Sequence, residues 1–253
     1  MAIFVVAGAA AFGLALLLDR WAYSSLTVKN LRQNDWYRMF RVVGFLPVWA
    51  IVAAALFLIG SARPRAARLV LAARRTLLLF VPVLLSSGLA EGLKLVLRRE
   101  RPYLTGGAYV FRSWQDGPLE SAGLGLPSSH TAVAFAAAWA LCLLYPQAAP
   151  VWLMLAIGCA VSRLLMGAHF LSDVVLSAVV SYAVVRLIWQ WCPRSVRHAA
   201  GESGDVVQPG PCPGASERPH PAPGSGAAES TDPPARPIAP PAATGGAGEN
   251  GKG

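Results

Sequence analysis

Along the chain the apolar residues come in long blocks, and the charges gather between them. Residues 2–18 carry no charge and end at Asp19-Arg20. A membrane helix needs about 20 apolar residues, so this block predicts a first span that extends to about Leu26. No positive stretch precedes the run, which favours a span over a signal peptide. Residues 27–41 are polar and mixed in charge, with Trp36, Tyr37 and Phe40 among them, as expected of an interfacial amphipathic segment. A second span is predicted over 42–60 and a third over 76–97, kinked at Pro82. The second half of the third is less apolar, with Ser86, Ser87, Glu91 and Lys94. A long connection over 98–129 is rich in charge, Gly and aromatics. Two further spans follow at 131–146 and 151–167, joined by the tight segment Pro146–Pro150, and a sixth at 170–191. From residue 201 the pattern stops: that tail holds 11 Pro and 11 Gly in 53 positions and cannot bury enough apolar surface to fold. The expected fold class is all-α, a bundle of six transmembrane helices over 1–200, followed by a disordered tail over 201–253.

Composition sharpens this picture. Of 253 residues, 55% are hydrophobic and 14% charged, with a mean hydropathy of +0.47. That is not the balance of an ordinary soluble domain. The net charge of +9 divides into −3 for the tail (three Lys/Arg against six Asp/Glu) and +12 for the rest. The basic residues lie between apolar runs, so they suit lipid headgroups and topology signals, and the expected partner is the bilayer rather than nucleic acid. The segment 61–75 carries Arg63, Arg65, Arg68, Arg74 and Arg75 without an acid, which places it in the cytoplasm. An even number of spans then puts both termini, and the tail, on that side. The 98–129 connection and the 163–169 turn face the periplasm or exterior of a cell (inner) membrane. Residues 20–41, with five Lys/Arg against Asp35, argue the other way. The four Cys show no metal or redox spacing, and there is no His/Cys/acid cluster, Gly-x-Gly-x-x-Gly or Walker loop, so no metal or cofactor is expected.

Three polar stretches interrupt the span ends. In Lys94–Pro102, the cations Lys94, Arg98 and Arg101 stand at i, i+4 and i+7, so a continued helix stacks them on one face until Pro102 ends it. An anion between them would relieve the repulsion; a basic flank at the headgroups is the plainer reading. In Gly125–Thr131, Ser128 and Ser129 offer a cap, the first-turn amides offer an anion site, and His130 stands beside them. An ordinary cap with an interfacial His is the alternative there. In Ser162–Asp173, the segment carries Arg163, His169 and Asp173, and ionisable groups at span ends read as a site. His169 and Asp173 are four apart, so on a helix the carboxylate would orient the imidazole. Six spans bring all three stretches to one membrane face. Three cations and a helix N-terminus fit a phosphoryl group, and two His fit a nucleophile and an acid.

Lys-x6-Arg-Pro, Pro-Ser-x-His and Ser-Arg-x5-His-x3-Asp, in this order, resemble the signature of the type 2 phosphatidic acid phosphatase (PAP2) superfamily, which also includes the vanadium haloperoxidases. The resemblance covers roughly 76–190. It implies a membrane phosphatase that acts without metal on a lipid phosphate or a lipid or prenyl diphosphate. His169 would form a phosphohistidine, Asp173 would orient it and His130 would protonate the leaving oxygen. Lys94, Arg101, Ser128, Ser129 and Arg163 would hold the phosphate. Ser129 stands where the family usually has Gly. The loop 103–126, with Tyr103, Tyr109, Phe111, Arg112 and Trp114, is the candidate for headgroup selection, interfacial packing being its other reading. The other functions weighed are a lipid phosphotransferase using the same intermediate, a vanadate-holding haloperoxidase, which the apolar spans disfavour, and a non-catalytic membrane protein of the same fold.

Overall fold

Uninterrupted apolar runs become helices, and the breaks fall at Gly, Pro or clustered charge. The computed structural model describes residues 2–28, 30–61 and 66–191. Arg63, Arg65, Arg194, Arg197 and the tail 201–253 lie outside them. The helices are α1 (Ala2–Leu26), α2 (Asp35–Val43), α3 (Leu46–Ser61), α4 (Ala66–Leu97), the short α5 (Pro102–Thr105), α6 (Ser129–Leu144), α7 (Ala149–Leu165) and α8 (Leu171–Trp191). Among the described residues there is no β-sheet, only the isolated bridges Arg99–Phe111 and Glu100–Leu124. The fold is all-α.

Six spans were expected; among the described residues four helices are long and apolar enough to cross a membrane, and five crossings result if α2 and α3, bent by 63° at Gly44-Phe45, count as one. The shortfall is α6, apolar but only 16 residues long. Its beginning is given to the Pro127-Ser128 cap, and it ends before Pro146. The basic segment 61–75 is also not all loop: α4 starts at Ala66, so Arg68, Arg74 and Arg75 belong to it.

The short α6 lies at the centre, packed on α4, α7 and α8. Its sequence explains why. Ala132, Ala134, Ala136, Ala137, Ala138 and Ala140 are all buried, and small side chains let backbones approach closely. Trp49, Leu79, Val83, Val133, Leu141 and Val185 fill the space around it. α1 packs on α8, and α2 on α7. Ile3, Leu17, Ile51, Leu58, Ile59 and Ile157 point outward and are mostly exposed, the surface that hydrocarbon chains would cover.

Candidate active site

Each of the three polar stretches becomes a boundary between elements. α4 ends at Leu97, and Arg98 has φ of 51°, so the helix does not continue and Lys94, Arg98 and Arg101 do not stack on one face. Arg98 turns away instead. Its buried guanidinium donates to the carbonyls of Arg112, Ser113, Asp116 and Pro118 at 2.7–3.2 Å, and lies 5.1 Å from the Trp114 ring. It staples the loop 112–118. Pro102 opens α5 rather than closing α4.

Lys94, 4% exposed, stays at the site. Its Nζ donates to Glu91 Oε1 (2.8 Å) and to Ser129 Oγ, and Ser129 Oγ donates to Glu91. The hydroxyl at the position where Gly is usual therefore positions the lysine. Arg101 is anchored by one bond, Nε to Leu124 O at 3.1 Å, which leaves its terminal nitrogens for a ligand. Arg163, in the last turn of α7 and 5% exposed, donates from Nη1 to Tyr37 Oη at 3.2 Å. Its buried Nε has no acceptor among the described residues. An oxygen of an anion would satisfy it. Lys94 and Arg163 interact electrostatically with Arg101, so the three cations form one cluster.

Ser128 takes the expected N-cap position of α6, but its side chain makes no capping bond. Its hydroxyl accepts from Thr131 Oγ1 at 3.0 Å, and its amide donates to Ser177 Oγ at 2.8 Å. Ser128 is fully buried and thus acts as a brace between α6 and α8. The anion-binding amides are left to the first turn that follows it. His130, in that turn, is half-buried, and its ring makes no hydrogen bond among the described residues. It is in electrostatic contact with Arg163, His169, Arg41 and Lys94.

His169 sits in the turn between α7 and α8, which Gly167 closes with φ of 64°. The sequence reading gave the orientation of its ring to Asp173 alone. The nearer partner of Nδ1 is the carbonyl of Gly125, at 2.9 Å, with Asp173 Oδ2 at 3.5 Å. A proton on Nδ1 is held there, and Nε2 keeps its lone pair. Gly125 has to be small: a Cβ there would lie 3.2 Å from Asp173 Oδ2. Burial pushes the His169 imidazole down to about 4, against the pull of Asp173, so the ring is neutral at physiological pH. Asp173 also accepts the amide of Phe170 at 2.8 Å, capping the first turn of α8.

Beneath Asp173 is a network that the motifs do not contain. Arg99, 2% exposed, donates from Nη2 to Asp173 Oδ1 and, at 2.7 Å, to Ser172 Oγ. Its Nη1 is 3.7 Å from Oδ2 of Asp19, a fully buried carboxylate on α1. Asp19 accepts the amide of Ser172 at 2.7 Å and the Tyr109 hydroxyl at 2.9 Å. Arg99 lies 5.3 Å from the Tyr109 ring and 5.0 Å from that of Phe170. Burial and the Asp19 charge raise the Tyr109 phenol to about 12, so it stays a donor. Tyr109, Trp114 and Arg112, which is bound to Glu100 and Ala122 O, thus hold the loop together, the plainer of its two readings. Asp19 had a signal in the sequence, as the first charge after 17 apolar residues, but nothing local shows that it faces the protein.

The arrangement can do covalent phosphoryl transfer. A neutral imidazole with a free Nε2, a cluster of cations and a second imidazole meet at one end of the bundle. Among the described residues no group of three or more His, Cys, Asp or Glu is placed to hold a metal ion. No curated protein and no solved structure matches the chain. A protein-family model, PAP2 superfamily, matches residues 75–197, the stretch that carries all three motifs. Residues 75–197 are therefore a PAP2-superfamily domain, of a superfamily of lipid-phosphate hydrolases and phosphotransferases, set among membrane-length helices.

Proposed function

We propose that the protein hydrolyses a lipid phosphate at a membrane surface, without metal, through a phosphohistidine on His169. The observation that carries this is the seating of His169. Its Nδ1 is occupied by Gly125 O and Asp173, and Nε2 is the nitrogen left to attack. Lys94, Arg101, Arg163 and the first-turn amides of α6 hold the three non-bridging oxygens, where the charge of the transition state lies. In the first step the Nε2–P bond forms, the P–O bond to the lipid breaks, and His130 gives its proton to the leaving oxygen. In the second step water attacks the phosphohistidine, His130 takes a proton from it, and inorganic phosphate leaves.

The setting supports a lipid substrate. We read α6 as a crossing beside the four long helices and the bent α2–α3 pair, six in all. All three motifs then lie at one membrane face, the periplasmic or exterior one, and the start of α4 lies at the other. The deciding experiment is phosphate release by the full chain in detergent with chelator, over a panel of lipid phosphates, beside His169→Ala. Release that resists chelator and is lost in the variant supports the reading. Release that the variant retains would overturn it.

A further inference from the structure

Two of the cations near His169 have carboxylate partners: Lys94 has Glu91, and Arg99 has Asp173. Arg163 has a phenol. Its guanidinium makes one hydrogen bond among the described residues, from Nη1 to Tyr37 Oη at 3.2 Å, and its buried Nε makes none. Tyr37 comes from α2, outside the PAP2 match and outside the three motifs. Its neighbours Trp36 and Arg38 are exposed, as in an interfacial helix, yet Tyr37 is 1% exposed. Spacing selects the face that turns inward, since Tyr37, Phe40 and Gly44 stand three and four apart. Two glycines make the contact close. A Cβ at Gly158 of α7 would lie 2.2 Å from Phe40 Cε1, and one at Gly44 would lie 2.7 Å from the His130 carbonyl of α6. α2 is thus keyed to the two helices that carry Arg163 and His130.

The Tyr37 hydroxyl donates to Met166 Sδ, in the turn after α7, so its lone pairs are left for Arg163. A guanidinium is planar, and fixing one nitrogen restricts the whole fork. The phenol does this without a charge of its own. A carboxylate in its place would cancel the charge of the arginine and compete with phosphate for it. We infer that Tyr37 is a positioning residue that presets the Arg163 fork, at full charge, for a phosphoryl oxygen. Part of the phosphate site is then supplied by a helix outside the PAP2 domain. The rotamer freedom of the arginine is lost on folding rather than on binding, which favours the bound state. Arg163 meets the phosphoryl oxygens in the bound substrate and in the transition state alike. Loss of the hydroxyl should therefore weaken phosphate binding as well as kcat/KM.

This rests on Arg163 as a phosphate ligand of the proposed phosphatase, and the test separates the two. The thermal midpoint of the full chain in detergent is titrated with inorganic phosphate for the parent, Tyr37→Phe, Arg163→Lys and the double variant. Tyr37→Phe keeps the ring and its packing and removes only the hydroxyl. The phosphate concentration needed for a given rise in midpoint should increase by about tenfold, and kcat/KM on a lipid phosphate should fall by a similar factor. In the Arg163→Lys background the same change should alter either quantity by less than about twofold, because the partner of the hydroxyl is gone. A Tyr37→Phe chain that melts lower but needs no more phosphate, or that loses as much in the Arg163→Lys background, would overturn the inference, since the hydroxyl would then only hold the fold. A Tyr37→Phe chain with no folding transition, or a parent whose midpoint phosphate does not raise, would overturn it as well. Phosphate release that His169→Ala retains would overturn the phosphatase reading and leave the midpoint series to decide on Tyr37.

Discussion

The two histidines of the site are set in opposite surroundings. His169 is 3% exposed and bonded through Nδ1, and the groups around it are themselves held. Asp173 is fixed by Phe170 N and Arg99, Arg99 by Ser172 and Asp19, and Asp19 by Tyr109 and the α8 amide. This one ring draws on α1, the 99–101 segment, the 125 turn and α8. His130 has no bonded partner for its ring among the described residues and opens onto a cavity of about 360 Å³ that Arg38, Arg41, Val42 and Phe45 also line. The difference suits the tasks proposed for them, His169 as nucleophile and His130 as acid. A nucleophile gains from being fixed in one tautomer and one direction before substrate arrives. An acid must meet a leaving group whose position shifts as the bond breaks, so its partner is the substrate.

The comparison is broken most severely at His169, the proposed nucleophile. His169→Ala should lower turnover by at least about a thousandfold, the scale for removing a covalent catalyst. It should also abolish an acid-labile phosphoprotein trapped by quenching during turnover. His130→Ala should cost about a hundredfold or more on lipid phosphates, in line with loss of a general acid. It should cost far less on an aryl phosphate whose leaving group needs no proton, and the ratio of the two losses is the measurement. If both substrates suffered equally, His130 would be binding rather than protonating.

Smaller effects test the support. Asp19→Asn leaves Arg99 with one carboxylate in place of two. It should reduce kcat by about tenfold with KM little changed, and lower the thermal midpoint in detergent, because one charge of a buried network loses its partner. Asp19→Glu should recover part of the kcat. The mildest probe is pH. With its pKa near 4, His169 stays neutral in the folded protein, whereas the unfolded imidazole takes a proton near 6.5. Its contribution to stability is present above about 6.5 and falls as pH drops toward 4, since the unfolded state binds the proton first. An NMR titration of the histidines should find an imidazole with its midpoint near pH 4 that is lost in His169→Ala. A midpoint near 6.5 for that ring would mean that His169 is solvated in the folded protein.

The sequence by itself determined the helical class, the order of the apolar helices, with bounds within a few residues except at the start of α4, and the three motifs. Those properties are local. A run of apolar residues defines a helix without reference to the rest of the chain, and the motif spacings lie within single turns or helix ends. The sequence also placed Lys94, Arg163 and the two histidines among one another by counting spans, although the count of six exceeds the four or five helices long enough to cross among the described residues. What the tertiary structure decided is which groups reach across. Gly125 and His169 are 44 positions apart, Arg99 and Asp173 74, and Asp19 and Ser172 153. No periodicity relates such pairs. Arg98 and Arg99 show the limit most sharply, as adjacent cations of the same type. The positive φ at Arg98 sends one to staple a loop and the other to Asp173 beneath His169, a choice made by the ending of α4 and the packing of α1 on α8, not by either residue.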